Sequence, residues 1–263
     1  MKYVRIVVLS ICCVVISVQF TVVALAEEHH AAPKPSPDEV LQILKKGNER
    51  FYTGKATYPH TNTARLEQAG TENQGDHAYA TVITCSDSRV PVELLFDAGV
   101  MDIFVIRVAG NVCDTDEIGS TEYGLAHVNT PILVILGHTQ CGAVTAVTHA
   151  VHGEGHALER NIPPLVDNII PAVERAIDQH QDVHGDAIIP YAIEENVWQA
   201  TEDLFMKSPA VRNIVNKGKA KVVGAIYDVG TGKVAWLPLE KVDEILKTVE
   251  ASPDKETEPL ATE

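Results

Sequence analysis

Residues 131–142 read PILVILGHTQCG. From Pro131 to Leu136 no polar side chain interrupts the run, and five of its six residues are Ile, Leu or Val. A stretch this short and this uniformly apolar reads as a strand covered on both faces. It stops at Gly137-His138, and Gly142 opens a helix expected over 142–152. Two more runs upstream have the same form. Tyr79–Thr84 (YATVIT) ends at Cys85, and Asp102–Ala109 (DIFVIRVA) ends at Gly110-Asn111. Helical stretches are expected between them at about 91–97 and 120–128. Strands that alternate with helices predict an α/β fold with a central, mostly parallel β-sheet flanked by helices. Downstream, Lys221–Val229 and Lys233–Leu237 read as a hairpin across Gly230-Thr231-Gly232. Helices are also expected near 161–180, 191–207 and 209–217. Upstream, Ser36-Pro37-Asp38-Glu39 starts a helix that runs to about Thr53: Ser36 caps, Pro37 suits the first turn and Glu39 completes a capping box.

The whole chain has 263 residues, 45% of them hydrophobic, which excludes a wholly disordered polymer. Aromatic residues make up only 5%, so Val, Ile, Leu and Ala must build the core. With 36 acidic against 21 basic residues, a nucleic-acid backbone is not expected as a partner. Five cysteines are too few for a disulfide scaffold.

Residues 1–26 read as a secretory signal peptide. Lys2 and Arg5 precede an uncharged stretch from Ile6 that closes with Ala24-Leu25-Ala26. The rival reading is a retained membrane anchor. Cleavage after Ala26 removes two bases and no acid, so the charge of −15 becomes −17; Cys12 and Cys13 leave as well. The mature protein is then expected in the periplasm or outside the cell, with no membrane attachment. Residues 27–35 are expected to form a linker, 36–248 the folded domain, and 249–263 an acidic tail expected to be disordered.

In an open parallel sheet, ligands bind beyond the carboxyl ends of the strands. Cys85, His138 and Cys141 all stand at such ends. Two thiolates and an imidazole make a three-ligand zinc site with a fourth position open, the arrangement of a catalytic metal. Taken alone, either cysteine reads as a small buried hydrophobe; their joint placement makes the signal.

These segments resemble the β-class carbonic anhydrases. CSDSR at 85–89, IRVAGN at 106–111 and GHTQCGAV at 137–144 match that family's signatures, with STEYG at 120–124 and GAIYDVGTGKVAWL at 224–237 also similar. The likeness covers roughly residues 36–240. It implies a β-carbonic anhydrase-like fold with an N-terminal helical arm, in a homodimer or tetramer. It implies zinc on Cys85, His138 and Cys141, with Asp87 and Arg89 as the catalytic dyad beside it. The implied activity is reversible hydration of carbon dioxide to bicarbonate through a zinc-bound hydroxide. The Gly142 N–H, at a helix start, is placed to donate to a bicarbonate oxygen. Two other readings stay open: a carbon disulfide or carbonyl sulfide hydrolase on the same scaffold, and a non-catalytic zinc-binding protein. The Asp87–Arg89 pair alone also reads as a structural loop pair.

The match has gaps. Where many relatives carry a substrate-contacting Gln, nine positions before the first zinc cysteine, this chain has Asp76, with Gln74 two residues earlier. The tryptophans, Trp198 and Trp236, lie downstream of Cys85, which argues against the allosteric bicarbonate site of a second subgroup. His149, His152 and His156 follow Cys141 at helical spacing and read first as a solvated helix face, with proton relay as the sharper alternative. Cys113 reads as a buried thiol able to form a stray disulfide with Cys85 or Cys141, and Asp114-Thr115-Asp116-Glu117 as solvated surface.

Overall fold

Strand β1 (Ala80–Cys85) lies between β2 (Ile103–Val108) and β3 (Ile132–His138); β4 (Lys221–Tyr227) follows β3, and β5 (Val234–Trp236) closes the edge. The order is β2-β1-β3-β4-β5. The first four strands are parallel, and β5 returns antiparallel from β4. The computed structural model describes residues 33–155 and 157–257. The signal-peptide segment, most of the linker, His156 and residues 258–263 lie outside the described residues. No helix among the described residues is long and apolar enough to cross a membrane.

Every residue of β1 and β3 is buried, as their uninterrupted apolar runs predict. Alternation along the strands splits their side chains between two layers. On one face Val82, Val134 and Leu136 pack with Val40, Leu44, Leu95 and Phe96. These come from α1 (Pro37–Tyr52) and from α3 (Val92–Leu95) with the residue after it; α2 (Thr63–Ala69) lies between the two in sequence. On the other face Ile83, Leu133 and Ile135 pack with Val197, Trp198 and Leu204. A third cluster joins Cys85 and Cys141 to Val144, Ile169, Val173 and Ile193.

The remaining helices are α4 (Thr115–Ala126), α5 (Gly142–Val151), α6 (Pro163–Val166), α7 (Ile170–Gln179), α8 (Ile189–Lys207), α9 (Pro209–Asn216) and α10 (Leu239–Ala251). Four of them, α4, α6, α7 and α10, correct the sequence reading. The acidic run from Asp114 is a helix start, not free surface: Asp114 and Glu117 close a capping box that begins α4 at Thr115. The helix expected over 161–180 breaks into α6, a 3-10 turn at Asp167–Ile169, and α7. Pro171 supplies no N–H, and its ring opposes the carbonyl four residues back, so one continuous helix cannot form there. The disordered tail expected from residue 249 is corrected over 249–257. There α10 runs to Ala251, the Glu256 N–H donates to the Met206 carbonyl at 2.9 Å, and Arg212 Nη2 donates to the Glu256 carbonyl at 2.5 Å.

The α1 helix docks closely because Gly47 faces α3. A Cβ at Gly47 would stand 1.9 Å from the Phe96 carbonyl oxygen. Gly47→Ala is therefore expected to destabilise the protein by about 2 kcal/mol or more through overpacking. A thermal melt checks it, and a midpoint within a degree of the parent would contradict the tight docking.

Candidate metal centre

Strand order reverses between β1 and β3: the chain leaves β1 toward β2 on one side, and β3 lies on the other. That reversal opens a crevice at the carboxyl ends of the two strands. Cys85 is the last residue of β1 and His138 the last of β3. Cys141 is the N-cap residue of α5. Their ligand atoms lie within 4.8 Å of one another, and all three residues are buried.

The imidazole of His138 is fully buried. Its Nδ1 lies 3.0 Å from the Thr139 carbonyl oxygen and so carries the proton. Nε2 then has a free lone pair and no hydrogen-bond partner. A buried imidazole nitrogen left unpaired beside two buried thiols is costly unless a cation joins them. Two sulfurs and one nitrogen are the donor set zinc takes, so the residues present fit the metal.

Local backbone shapes the sulfurs. The Gly110 N–H donates to Cys85 Sγ at 3.2 Å. Gly110 adopts φ 76°, and a Cβ there would meet Ile169 Cδ1 at 2.7 Å, so only glycine brings its amide to the sulfur. Hydrogen bonds from the Cys141 thiol and from the Gly110 and Asp87 amides outweigh the opposing effect of burial and lower the Cys85 thiol to a pKa of about 4. The shared proton and burial push the Cys141 thiol up.

Beside the cluster, Asp87 and Arg89 form an ion pair. Arg89 donates to Asp87 through Nε at 2.9 Å and Nη2 at 2.7 Å, a bidentate fork reinforced by its own backbone N–H at 2.9 Å. This holds the Asp87 carboxyl well below the usual carboxylate range. Asp87 Oδ2 is 4.0 Å from His138 Nε2, at the open side of the cluster. Arg107, on β2, donates to the Asp87 carbonyl at 2.6 Å and to the Cys85 carbonyl at 3.2 Å. Arg89 also donates to the Gln140 carbonyl at 3.1 Å and to Gln140 Oε1 at 3.3 Å. Gln140 has φ 58°, which costs a non-glycine residue roughly 1 kcal/mol. A cavity of about 570 Å³ lies against this loop, walled by Thr139, Gln140, Ile189, Pro190, Ile193 and Ile226.

The sequence reading named neither Arg107 nor Gln140 as a functional residue. A lone Arg within the apolar run DIFVIRVA was the available signal for the first; Gln140 carried none. The other positions singled out fall away from the centre. Gln74 and Asp76 occupy a 3-10 turn ahead of β1, at the opposite end of that strand from Cys85. His149 Nε2 pairs with Asp186 at 2.8 Å on the surface, and His152 Nδ1 donates to the Thr148 carbonyl. Cys113 is buried in a different apolar cluster from Cys85 and Cys141, and all three thiols are free.

Residues 80–234 match the family model described as carbonic anhydrase. A carbonic anhydrase of Mycolicibacterium smegmatis is 32% identical over 209 residues, 77% of this chain and 94% of that one. Carbonic anhydrase 2 of Mycobacterium tuberculosis is 31% identical over 76% of this chain and 93% of its own length. Among solved structures, a β-carbonic anhydrase of Aspergillus fumigatus superposes with TM-score 0.60 at 26% identity, covering 81% of this chain and 99% of that one. The tetrameric β-carbonic anhydrases of Sordaria macrospora share the fold, with TM-score 0.57 at 20% identity over 76% of this chain and 97% of that one. With the Cys-His-Cys cluster at the sheet's switch point and matches that span most of its length, this chain belongs to the carbonic anhydrase family, in its β class.

Proposed function

We propose that the chain catalyses the reversible hydration of carbon dioxide to bicarbonate and a proton, with zinc held by Cys85, His138 and Cys141. The observation that carries this reading is the unpartnered, buried Nε2 of His138 within reach of two buried thiols, with a fork-locked carboxylate beside it. When bound, zinc supplies Lewis acidity and lowers the pKa of water at its open position. Asp87, ionised and forked by Arg89, accepts a hydrogen bond at that position and is held off it by that pairing. The Gly142 N–H, in the first turn of α5, donates to a bicarbonate oxygen. The largely apolar walls of the neighbouring cavity suit a small neutral substrate. A hydrolase for carbon disulfide or carbonyl sulfide would use the same centre, and a sulfide-release assay run beside stopped-flow hydration separates the two. A non-catalytic zinc protein would need neither Asp87 nor Arg89.

The protein acts as a homodimer or tetramer. The sheet ends on one side at β2, whose outer edge pairs with no strand among the described residues and carries half-buried Ile103, Phe104 and Val105. An unpaired apolar edge invites a second copy. Its location is periplasmic or extracellular after removal of residues 1–26, which N-terminal sequencing of protein from fractionated cells tests.

Three outcomes follow from the site. Asp87→Ala abolishes hydration, by 100-fold or more as an order of magnitude, with one zinc per chain still bound; unchanged turnover would remove the dyad from the mechanism. Hydration rises from pH 6.5 toward pH 9, because two thiolates donate more charge to zinc than neutral imidazoles and leave it a weaker acid; a flat profile in non-limiting buffer would contradict this. Finally, zinc binding to metal-free protein near pH 7 is expected to release about one proton rather than two, because the Cys85 thiol is shifted down and the Cys141 thiol up. Calorimetry in buffers of different ionisation enthalpy counts it.

A further inference from the structure

Gln140 stands between two metal ligands and is not one of them. Its left-handed backbone, at φ 58°, turns two acceptors toward one side chain. Arg89 Nη2 donates to its carbonyl at 3.1 Å, and Nη1 donates to its Oε1 at 3.3 Å. Among the described residues, every hydrogen bond of the Arg89 guanidinium goes to Asp87 or to Gln140. The side chain of Arg89 is 45% exposed, so packing does not hold it. A guanidinium gripped on one side only keeps much of its rotamer freedom, and one gripped on both sides loses it. A strained conformation that survives at an exposed residue points to a task served by the strain.

We infer that Gln140 is a positioning residue for the dyad: it fixes Arg89 so that Asp87 stays off the metal's fourth position. The loop that delivers Cys141 thereby also decides whether that position is open to an anion or a small substrate. The inference rests on the proposed role of Asp87 and Arg89, and the test is built to tell the two apart.

Cobalt(II) replaces zinc, and its visible absorption reports entry of thiocyanate at the fourth position. Four proteins are titrated: the parent, Gln140→Met, Asp87→Asn and the double variant. Methionine keeps the length of the side chain and removes its strong acceptor. The Gln140→Met protein is expected to bind thiocyanate about fivefold more weakly, the scale of one ordinary net hydrogen bond. In the Asp87→Asn background the same change leaves affinity within twofold, because no carboxylate remains to compete. Equal affinity of the parent and Gln140→Met overturns the inference. A fivefold loss that persists without Asp87 overturns it too, since the effect then bypasses the carboxylate. A parent insensitive to thiocyanate beside a responsive Asp87→Asn protein places Asp87 on the metal already, and overturns both the inference and the proposed role of the dyad. If Gln140→Met does not retain cobalt, Gln140→Ala takes its place in the same comparison.

Discussion

The parallel pairing of β1 with β3 is the constraint on which the centre depends. Thr81 lies opposite Leu133 and Thr84 opposite Leu136, so the two strands end side by side. With that register, Cys85 and His138 leave the sheet at one point, and the short loop to α5 brings Cys141 to meet them. A slip of one residue would turn each side chain of the slipped strand to the opposite face. The apolar layers on both faces of β1 and β3 resist that slip, because each face buries its own set of Val, Ile and Leu. The core and the metal centre therefore share one source of precision.

Around the ligands, the chain uses backbone rather than bulk. The Gly110 amide reaches Cys85, the Thr139 carbonyl sets the His138 tautomer, and the Asp87 carbonyl accepts a hydrogen bond from Arg107. Each is a main-chain group within two residues of the carboxyl end of a strand, so the sheet places all three. The exposed partners, Arg89 and Gln140, sit on the solvent side, where substrate must arrive and leave.

The strands and the Cys-His-Cys cluster were legible because they are local: an apolar run ends, and a Cys or His follows; Asp87 and Arg89 stood out only through the family resemblance. The α5 start was legible for the same reason. Other parts needed tertiary information. Arg107 meets Cys85 across 22 positions and Gln140 meets Arg89 across 51, so no window on the sequence holds both partners. Some signals were present and misread. Asp114 with Glu117 is a capping pair hidden inside an acidic run. Val242, Ile245, Leu246 and Val249 have helical spacing, yet the Glu- and Lys-rich surroundings masked α10. Pro171 marks the break between α6 and α7, and the surrounding helical pattern outweighed it.

The pairing of β1 with β3 also governs the order of events in folding. Thr81 and Leu133 are 52 positions apart, and Ile132 and Lys221, which join β3 to β4, are 89 apart. Contacts of such separation form slowly, because a long loop must close before any pairing rewards it. Cys141 and His138 are neighbours from the moment of synthesis, while Cys85 joins them only when the central sheet is assembled. The complete three-donor set is thus a late product of folding. Metal captured then locks a sheet already built, and the nascent chain offers at most a two-donor His-x-x-Cys fragment that holds a passing ion weakly.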